Sequence, residues 1–414
     1  MRLQKISSYY LAYLKRFYTE RPKLAAEPYS VQHAALMNDY IGISNFWTEA
    51  LGQLGYETDE IIANAEALQK RWANENGATF DEDNWLLEIV RAQVKAFRPE
   101  VLIVADYVTF SADFIRRLRA ECSSIRLVIG WCSAPYKDAS VFHGYDLILS
   151  CIPEMVAHFR QMGHRCFHLN HAFAPVILEK IDTRAEASIA FSFLGSIVKR
   201  DDYHNERERL LLALIQKTPL EIWSDISQLS LTERSGAVAR QVAYDAVQIA
   251  RRVGVPQVLL KGVPFVQRVA GWETRPGQPE EVDERIVRRA HPPVFGLQMY
   301  QQLQQSKVTL NTHIDISPRC ASNMRLYEAT GVGACLLTDW KENLGELFEP
   351  ETEVVSYRST EECIEKARYL LEHEDERKAI AAAGQRRTLR DHTYAHRAEQ
   401  ISAFIHEYFN QGRG

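Results

Sequence analysis

The sequence has no run of about 18 apolar residues, so nothing in it reads as a membrane span. It also lacks a basic excess: 49 Lys and Arg stand against 54 Asp and Glu, giving a formal net charge of -5. A general nucleic-acid binder needs a positive stripe that this balance does not supply. No C-x-x-C pair occurs. The seven cysteines (Cys122, Cys132, Cys151, Cys166, Cys320, Cys335 and Cys363) are odd in number and scattered through apolar stretches. That fits packed free thiols in a reducing, cytoplasmic setting better than a disulfide framework. The N-terminal MRLQKISSYYLAYLKRFYTERPK lacks the apolar core of a signal peptide. There is no G-x-G-x-x-G after the first strand pattern and no G-x-x-x-x-G-K-S/T, so dinucleotide oxidoreductases and P-loop NTPases recede. No short repeat or low-complexity tract is present.

What remains is the ordinary mix of a globular protein of two or three domains: 414 residues, 46% hydrophobic and 25% charged. Short apolar runs alternate with helical patterns, the signature of parallel α/β layers. The first series of strands is expected at 2–7, 57–62, 101–104, 126–130, 147–150 and 166–169, with helical stretches at 35–54 and 85–97. A second series follows a polar stretch near 178–187, with strands at 189–194, 220–223, 308–311, 334–338 and 354–357. The chain therefore reads as two doubly wound domains, 1–177 and 188–390, followed by a terminal segment 391–414. The gap between Trp223 and Val308 is far longer than one crossover helix requires. The helical insertion near 226–292 reads as an acceptor lid, a homodimer contact or structural decoration.

The segment Leu310–Asp339 carries the clearest chemistry. A strand ends at Asn311, a polar loop containing His313 follows, and Ser322 stands where a helix N-cap is expected, with the helix starting at Asn323. A helix N-terminus at the carboxyl end of parallel strands is where α/β proteins bind phosphate. Arg325 falls in the first turn, suited to a diphosphate. Glu328 lies about 7.5 Å beyond Asn323 along the axis, suited to ribose hydroxyls. The same spacing serves equally an Arg325–Glu328 ion pair on a solvated face, contributing a few tenths of a kcal/mol.

The run Ser322-Asn-Met-Arg-Leu-Tyr-Glu-Ala-Thr-Gly-Val-Gly-Ala-Cys-Leu-Leu-Thr-Asp339 resembles the C-terminal domain of the CgeB-like glycosyltransferases, a group related to the large retaining GT-B transferases. The resemblance continues through Glu346-Leu-Phe and His392-Thr-Tyr-Ala-His-Arg397. It also takes in Phe193-Leu-Gly-Ser196 and the Asn45-Phe-Trp and Leu54-Gly-Tyr-Glu57 region. It implies a GT-B fold, two Rossmann-like domains facing across a cleft, and sugar transfer from a nucleotide-diphosphate sugar to an unidentified acceptor, with no metal or other cofactor. By this resemblance Glu328 binds the nucleotide ribose, and Gly195 and Ser196 belong to the loop facing the diphosphate. His313, Ser322, Asn323 and Arg325 complete the donor site, and Arg325 stabilises charge on the leaving diphosphate. The N-terminal domain holds the acceptor, and a last helix, 397–409, crosses back onto it.

Two positions depart from the best-known GT-B pattern. Cys320 stands where that pattern has a second Glu, eight positions before the ribose Glu. Ser196 stands where it has an Arg, so Lys199, Arg200 or Arg325 supplies the missing charge. Two rival readings stay open: a nucleotide-sugar epimerase on the same architecture, and a non-catalytic sugar-nucleotide or glycan-binding protein.

Other residues serve either a functional or a structural reading. Asp106, at the end of the strand 101–104, is a candidate acceptor base or a helix cap. His171, in Leu169-Asn-His-Ala-Phe-Ala-Pro175, is a candidate catalytic residue in the cleft or a hinge histidine bonded to backbone. His164, Cys166 and His168 alternate on one strand face and could ligate a metal, yet buried strand residues are commoner. Asp81-Glu-Asp83 matches D-x-D but precedes a helix pattern, where its charge complements the dipole. The aromatics Tyr9, Tyr10, Tyr13, Phe17 and Tyr18, with Lys15, Arg16, Arg21 and Lys23, fit a peripheral membrane contact, an acceptor groove or packing on the domain.

Overall fold

Strands that are nearly continuous apolar runs can be buried on both faces only between two layers of helices, and the chain uses them that way. A computed structural model describes residues 1–411 apart from 134–135, 137, 198–204, 227–230, 253–280 and 314–316. The first six strands are β1 (Arg2–Ser7), β2 (Glu57–Ile62), β3 (Val101–Val104), β4 (Leu127–Trp131), β5 (Leu147–Ser150) and β6 (Cys166–His168). They form one parallel sheet in the order β2-β1-β3-β4-β5-β6. Every residue of β3, β4 and β5 is buried. The second sheet contains β7 (Ile189–Leu194), β8 (Leu220–Trp223), β9 (Ala290–His291), β10 (Ser306–Asn311), β11 (Cys335–Asp339) and β12 (Val355–Tyr357). Its order is β12-β11-β10-β7-β8-β9. In each sheet the strand order reverses once, between β1 and β3 and between β7 and β10. Ligands of open α/β sheets bind at the carboxyl edge of such a reversal.

Among the helices are α1 (Leu11–Glu20), α2 (Tyr29–Met37), α3 (Phe46–Gln53), α4 (Pro153–Gln161), α5 (Leu231–Arg252), α6 (Gly296–Gln304), α7 (Arg325–Gly331), α8 (Glu374–Asp391) and α9 (Tyr394–Gln411). The aromatic stripe of α1 is core: Tyr13, Leu14 and Phe17 pack with Leu36, Met37, Ile62 and Leu68, and Phe295 closes the cluster. Tyr10 and Leu11, just ahead of that stripe, stay exposed.

The single helix expected over 35–54 is two helices. Tyr40, Gly42 and Ser44 all have positive φ, which no α-helix accommodates, so the chain leaves α2, loops, and re-enters as α3. A buried charge braces that loop. Lys5 Nζ donates to the Ser44 carbonyl and to Glu60, both at 2.7 Å, and Glu60 also accepts from Ser7 and Thr48. Burial raises the Glu60 pKa, and Lys5 opposes the rise.

The chain forms two compact units, one of Met1–Leu194, Thr218–Leu220 and Val294–Gly414, the other of Gly195–Lys217 and Glu221–Pro293. The first unit is tied through its own later segments. The Leu297 amide donates to the Asp39 carbonyl at 2.9 Å, and Gly296 takes φ +53 with an added Cβ reaching 2.1 Å from that oxygen. Only glycine passes there. Helix α9 packs on α3, Phe404 stacks on Phe167 with ring centroids 4.3 Å apart, and Arg397 Nε donates to the carbonyls of Asn170 and His171. In the second unit Trp223 stacks on His291.

Candidate functional site

The loop between β10 and α7 is held by paired side chains from the carboxyl ends of neighbouring strands. Asn311, the last residue of β10, exchanges hydrogen bonds with Asn323 at 2.6 and 3.2 Å, and its amide also donates to Thr338 of β11. His313 is clamped by Asp339, the last residue of β11. Asp339 accepts from the His313 amide at 3.1 Å and lies 2.7 Å from Nδ1, with Lys341 Nζ 3.3 Å from its other oxygen. His313 and Lys341 outweigh burial and hold the Asp339 carboxyl down to about 2. The His313 side chain is almost fully buried, and its Nε2 has no partner.

Helix α7 starts at Arg325, two residues later than expected, with no side chain capping it. Ser322 is not the N-cap: its hydroxyl donates to Ser317 at 3.3 Å, because the Asn311–Asn323 pair keeps this stretch in the loop. At seven residues, α7 brings charge to the site through its side chains rather than through a long dipole. Arg325 Nη1 lies 2.9 Å from Glu328 Oε2, with the two side chains only 15% and 5% exposed. The expected i,i+3 ion pair is therefore present, but it is buried rather than solvated. Burial raises the Glu328 pKa and Arg325 opposes it. Arg325 Nε is buried and unpartnered. Two buried phenols feel the Glu328 charge, Tyr300 and Tyr394. Each is pushed up first by burial and then by that carboxylate. Gly331, the last residue of α7, must be glycine because a Cβ there would meet the buried Phe173 ring at 2.3 Å. Gly333, with φ +84, makes the turn into β11.

The remaining sequence candidates fall elsewhere. Asp106 accepts from Ser8 at 2.7 Å and from the Thr109 amide at 3.0 Å, joining the loops after β1 and β3 where the first sheet reverses. His171 is buried with its ring edge against Trp131 and its Nδ1 unpartnered. Burial and then Arg397 lower its pKa to about 3, so it is neutral at pH 7. Its backbone carbonyl, rather than its ring, makes the hinge bond, to Arg397. Gly195 and Ser196 open the second unit, where the Gly195 amide donates to the Trp223 carbonyl and the Ser196 carbonyl accepts from Arg207. Lys199 and Arg200 lie outside the described residues. His168 Nε2 contacts the Cys151 carbonyl, His164 stacks on His143, and Glu82 pairs with Lys70. Among the described residues no three His, Cys, Asp or Glu side chains converge as metal ligands.

Two contributors escaped the sequence reading. Asp339 is legible only as an acidic residue closing an apolar strand at the functional edge. Lys5 is one of four polar residues in the six-residue β1, with nothing in the sequence to mark it as buried. In neither case does the sequence say which partner is met.

Residues 241–403 match the Glycosyl transferase-like family. Across nearly the whole chain the fold is similar to that of several solved glycosyltransferases. Sucrose-phosphate synthase from Thermosynechococcus elongatus shares 10% identity with a TM-score of 0.53, over 99% of this chain and 100% of that one. HepE from Anabaena, solved in complex with UDP-glucose, also shares 10% identity at 0.53, over 98% and 100%. The α,α-trehalose 6-phosphate synthase from Burkholderia multivorans shares 11% at 0.51, over 100% and 97%. No curated protein matches the sequence significantly. Two parallel six-stranded sheets and these likenesses define a GT-B α/β fold.

Proposed function

We propose that this chain is a glycosyltransferase of the CgeB-like kind, moving a sugar from a nucleotide-diphosphate donor to an acceptor hydroxyl. The observation that carries the reading is the buried Arg325–Glu328 pair beside the Asn311–Asn323 and His313–Asp339 clamps, all after β10 where the second sheet reverses. Glu328 accepts the ribose hydroxyls. Arg325 keeps that carboxylate charged and turns its unpartnered Nε–H toward the diphosphate, where negative charge builds as the sugar departs. Asp339 fixes the His313 ring so that Nε2 is free for the donor. HepE, a structural neighbour, is solved with UDP-glucose, and two further neighbours are named as synthases of phosphorylated disaccharides; both facts support a nucleotide-sugar donor here.

The test is calorimetric binding of UDP, GDP, ADP and dTDP and of a hexose-linked form of each. One diphosphate should bind, and its sugar form should be slowly hydrolysed without acceptor. Glu328→Gln should weaken that nucleotide by about 1.5–3 kcal/mol, the range for hydrogen bonds to a charged group. The 2′-deoxy form should bind poorly to the unmodified protein. Absence of nucleotide binding, or a Glu328→Gln protein with unaltered affinity, would refute the assignment.

A further inference from the structure

A cavity of about 260 Å³ opens at the amino edge of the first sheet, opposite the edge where such sheets usually bind ligands. Leu147 and Cys166, the first residues of β5 and β6, lie in its lining. Arg160, in the last turn of α4, and Arg165, just ahead of β6, line it from the sheet side. Phe404, Glu407, Tyr408 and Gln411 line it from α9. None of these residues belongs to the candidate nucleotide site.

The charges in the lining are unmatched. Arg160 Nε donates to the Cys166 carbonyl at 2.8 Å, which orients the guanidinium and leaves its two terminal nitrogens unspent. Arg165 lies over the Tyr408 ring, 5.6 Å from its centroid. Among the described residues neither arginine makes an ion pair. Glu407 supplies one carboxylate, which accepts from Gln411 Nε2 at 3.0 Å. His164 is also in the lining, and burial and then His143 lower its pKa, so it is neutral at pH 7. Two positive charges thus share the cavity with one negative charge and the rings of Phe404 and Tyr408. Phe404 is held in place by its stack on Phe167, with centroids 4.3 Å apart.

The chemistry of a fitting ligand follows from that lining. An apolar molecule would leave both guanidinium groups and the carboxylate without partners. A bare anion would answer the arginines but not Glu407, which would repel it. A molecule with a phosphate at one end and hydroxyls at the other answers all three. Its phosphate accepts charge-assisted hydrogen bonds from Arg160 and Arg165. Its hydroxyls donate to Glu407, and the C–H face of a pyranose lies against the electron-rich ring faces of Phe404 and Tyr408. The volume falls below the roughly 300–1,000 Å³ usual for drug-sized ligands, which suits a monosaccharide phosphate better than a nucleotide.

We propose that this cavity is a binding site for a hexose phosphate, separate from the candidate nucleotide site and independent of the donor reading above. The ligand bridges the α4–β6 side to α9, so its binding stabilises the folded chain in proportion to occupancy.

Calorimetric titration with glucose 6-phosphate, glucose 1-phosphate, inorganic phosphate and glucose tests the site on the unmodified protein, Arg165→Gln and Glu407→Ala. Both substituted residues are exposed, so both variants should fold with an unaltered ligand-free Tm. The expected result is that one hexose phosphate binds at least tenfold more tightly than either inorganic phosphate or glucose, and raises Tm. Its Kd should rise at least fivefold in each variant. Failure of both hexose phosphates to bind overturns the proposal. So does inorganic phosphate binding as tightly as the hexose phosphates, which would leave an anion site with no sugar specificity. Hexose phosphate binding that is unchanged in both variants would place the ligand elsewhere on the protein and overturn it equally.

Discussion

Replacing Arg325 with alanine leaves Glu328 as a buried carboxylate with no opposing charge. Both side chains are largely out of water, 15% and 5% exposed, so the few tenths of a kcal/mol typical of a surface i,i+3 pair does not apply. Breaking one side of a buried pair costs about 3–5 kcal/mol, chiefly from the charge left behind. For a domain of about 150–250 residues each kcal/mol shifts Tm by roughly 2–4 °C, so Arg325→Ala should melt roughly 6–20 °C lower near neutral pH. The pH dependence separates charge from packing. The folded-state pKa of Glu328 is raised, so its ionised form is the disfavoured one, and its cost appears as pH rises through that pKa. Arg325 is what opposes the rise, and its loss moves the pKa higher still. The Tm gap between the unmodified and Arg325→Ala proteins should therefore be smallest near pH 5 and widen toward pH 8. Adding Glu328→Gln removes the stranded charge and should recover most of the gap at pH 8. Scanning fluorimetry across pH on the two single variants and the double variant reads all of this. A gap that is flat with pH and not reduced in the double variant would show that Arg325 acts through packing, against Met299 for instance, and the electrostatic account would be wrong.

Two further outcomes test the frame around the site. Gly296→Ala combines a positive φ with a Cβ 2.1 Å from the Asp39 carbonyl, so it should destabilise the first unit by at least about 2 kcal/mol, read as Tm; a neutral effect would mean the Gly296–Asp39 contact is not tight in solution. His171 and His392 are held down to about 3 and 4, first by burial and then, among charges, by Arg397, so the unfolded chain binds protons that the folded one refuses. Their share of stability is present above about pH 6.5 and is lost as pH falls toward 4, about 2–3 kcal/mol each by pH 4.5. A double His171→Gln, His392→Gln protein should lose less Tm than the unmodified one between pH 7 and 4.5; parallel acid profiles would contradict the burial of these rings.

The strands β3, β5 and β7 were readable because a parallel strand buried on both faces must be an apolar run, and each begins and ends where that pattern does; β1, β2 and β8 also fall where expected, although polar residues interrupt them. The helix over 35–54 was misread because Ala35–Leu54 keeps an apolar period through a loop. The interruption is conformational, at Tyr40, Gly42 and Ser44, and periodicity does not register φ. Ser322 has the right chemistry for an N-cap, but Asn323 prefers Asn311 twelve residues back, and that tertiary bond delays the helix to Arg325. The short β9 strand carries no apolar run and was not anticipated. The candidate donor residues of one segment, Asn323 to Glu328, could be picked out because they share a motif. His313–Asp339 could not, since nothing local links two residues that only the pairing of β10 with β11 brings together.

Spacing alone set two readings of Arg325 and Glu328 against each other, a surface ion pair or a nucleotide site, and burial dissolves the opposition. An isolated carboxylate in this position would protonate, because burial already raises its pKa, and a neutral acid makes weaker hydrogen bonds to ribose hydroxyls. An isolated arginine there would lack any counter-charge until the diphosphate arrived. Paired at 2.9 Å, Arg325 opposes the protonation that burial favours at Glu328 while leaving hydrogen-bonding capacity unspent, with Arg325 Nε still without a partner. On the proposed reading the ion pair is the ligand-free form of the site, and ligand adds to it without breaking it. This reasoning puts weight on the one exchange that preserves charge but not geometry. Arg325→Lys can keep Glu328 ionised but has no Nε–H fork to turn toward a phosphate. It should retain most of the Tm that Arg325→Ala loses, yet bind the diphosphate clearly more weakly than the unmodified protein. A lysine variant equal to the original in diphosphate affinity would confine Arg325 to holding Glu328 charged.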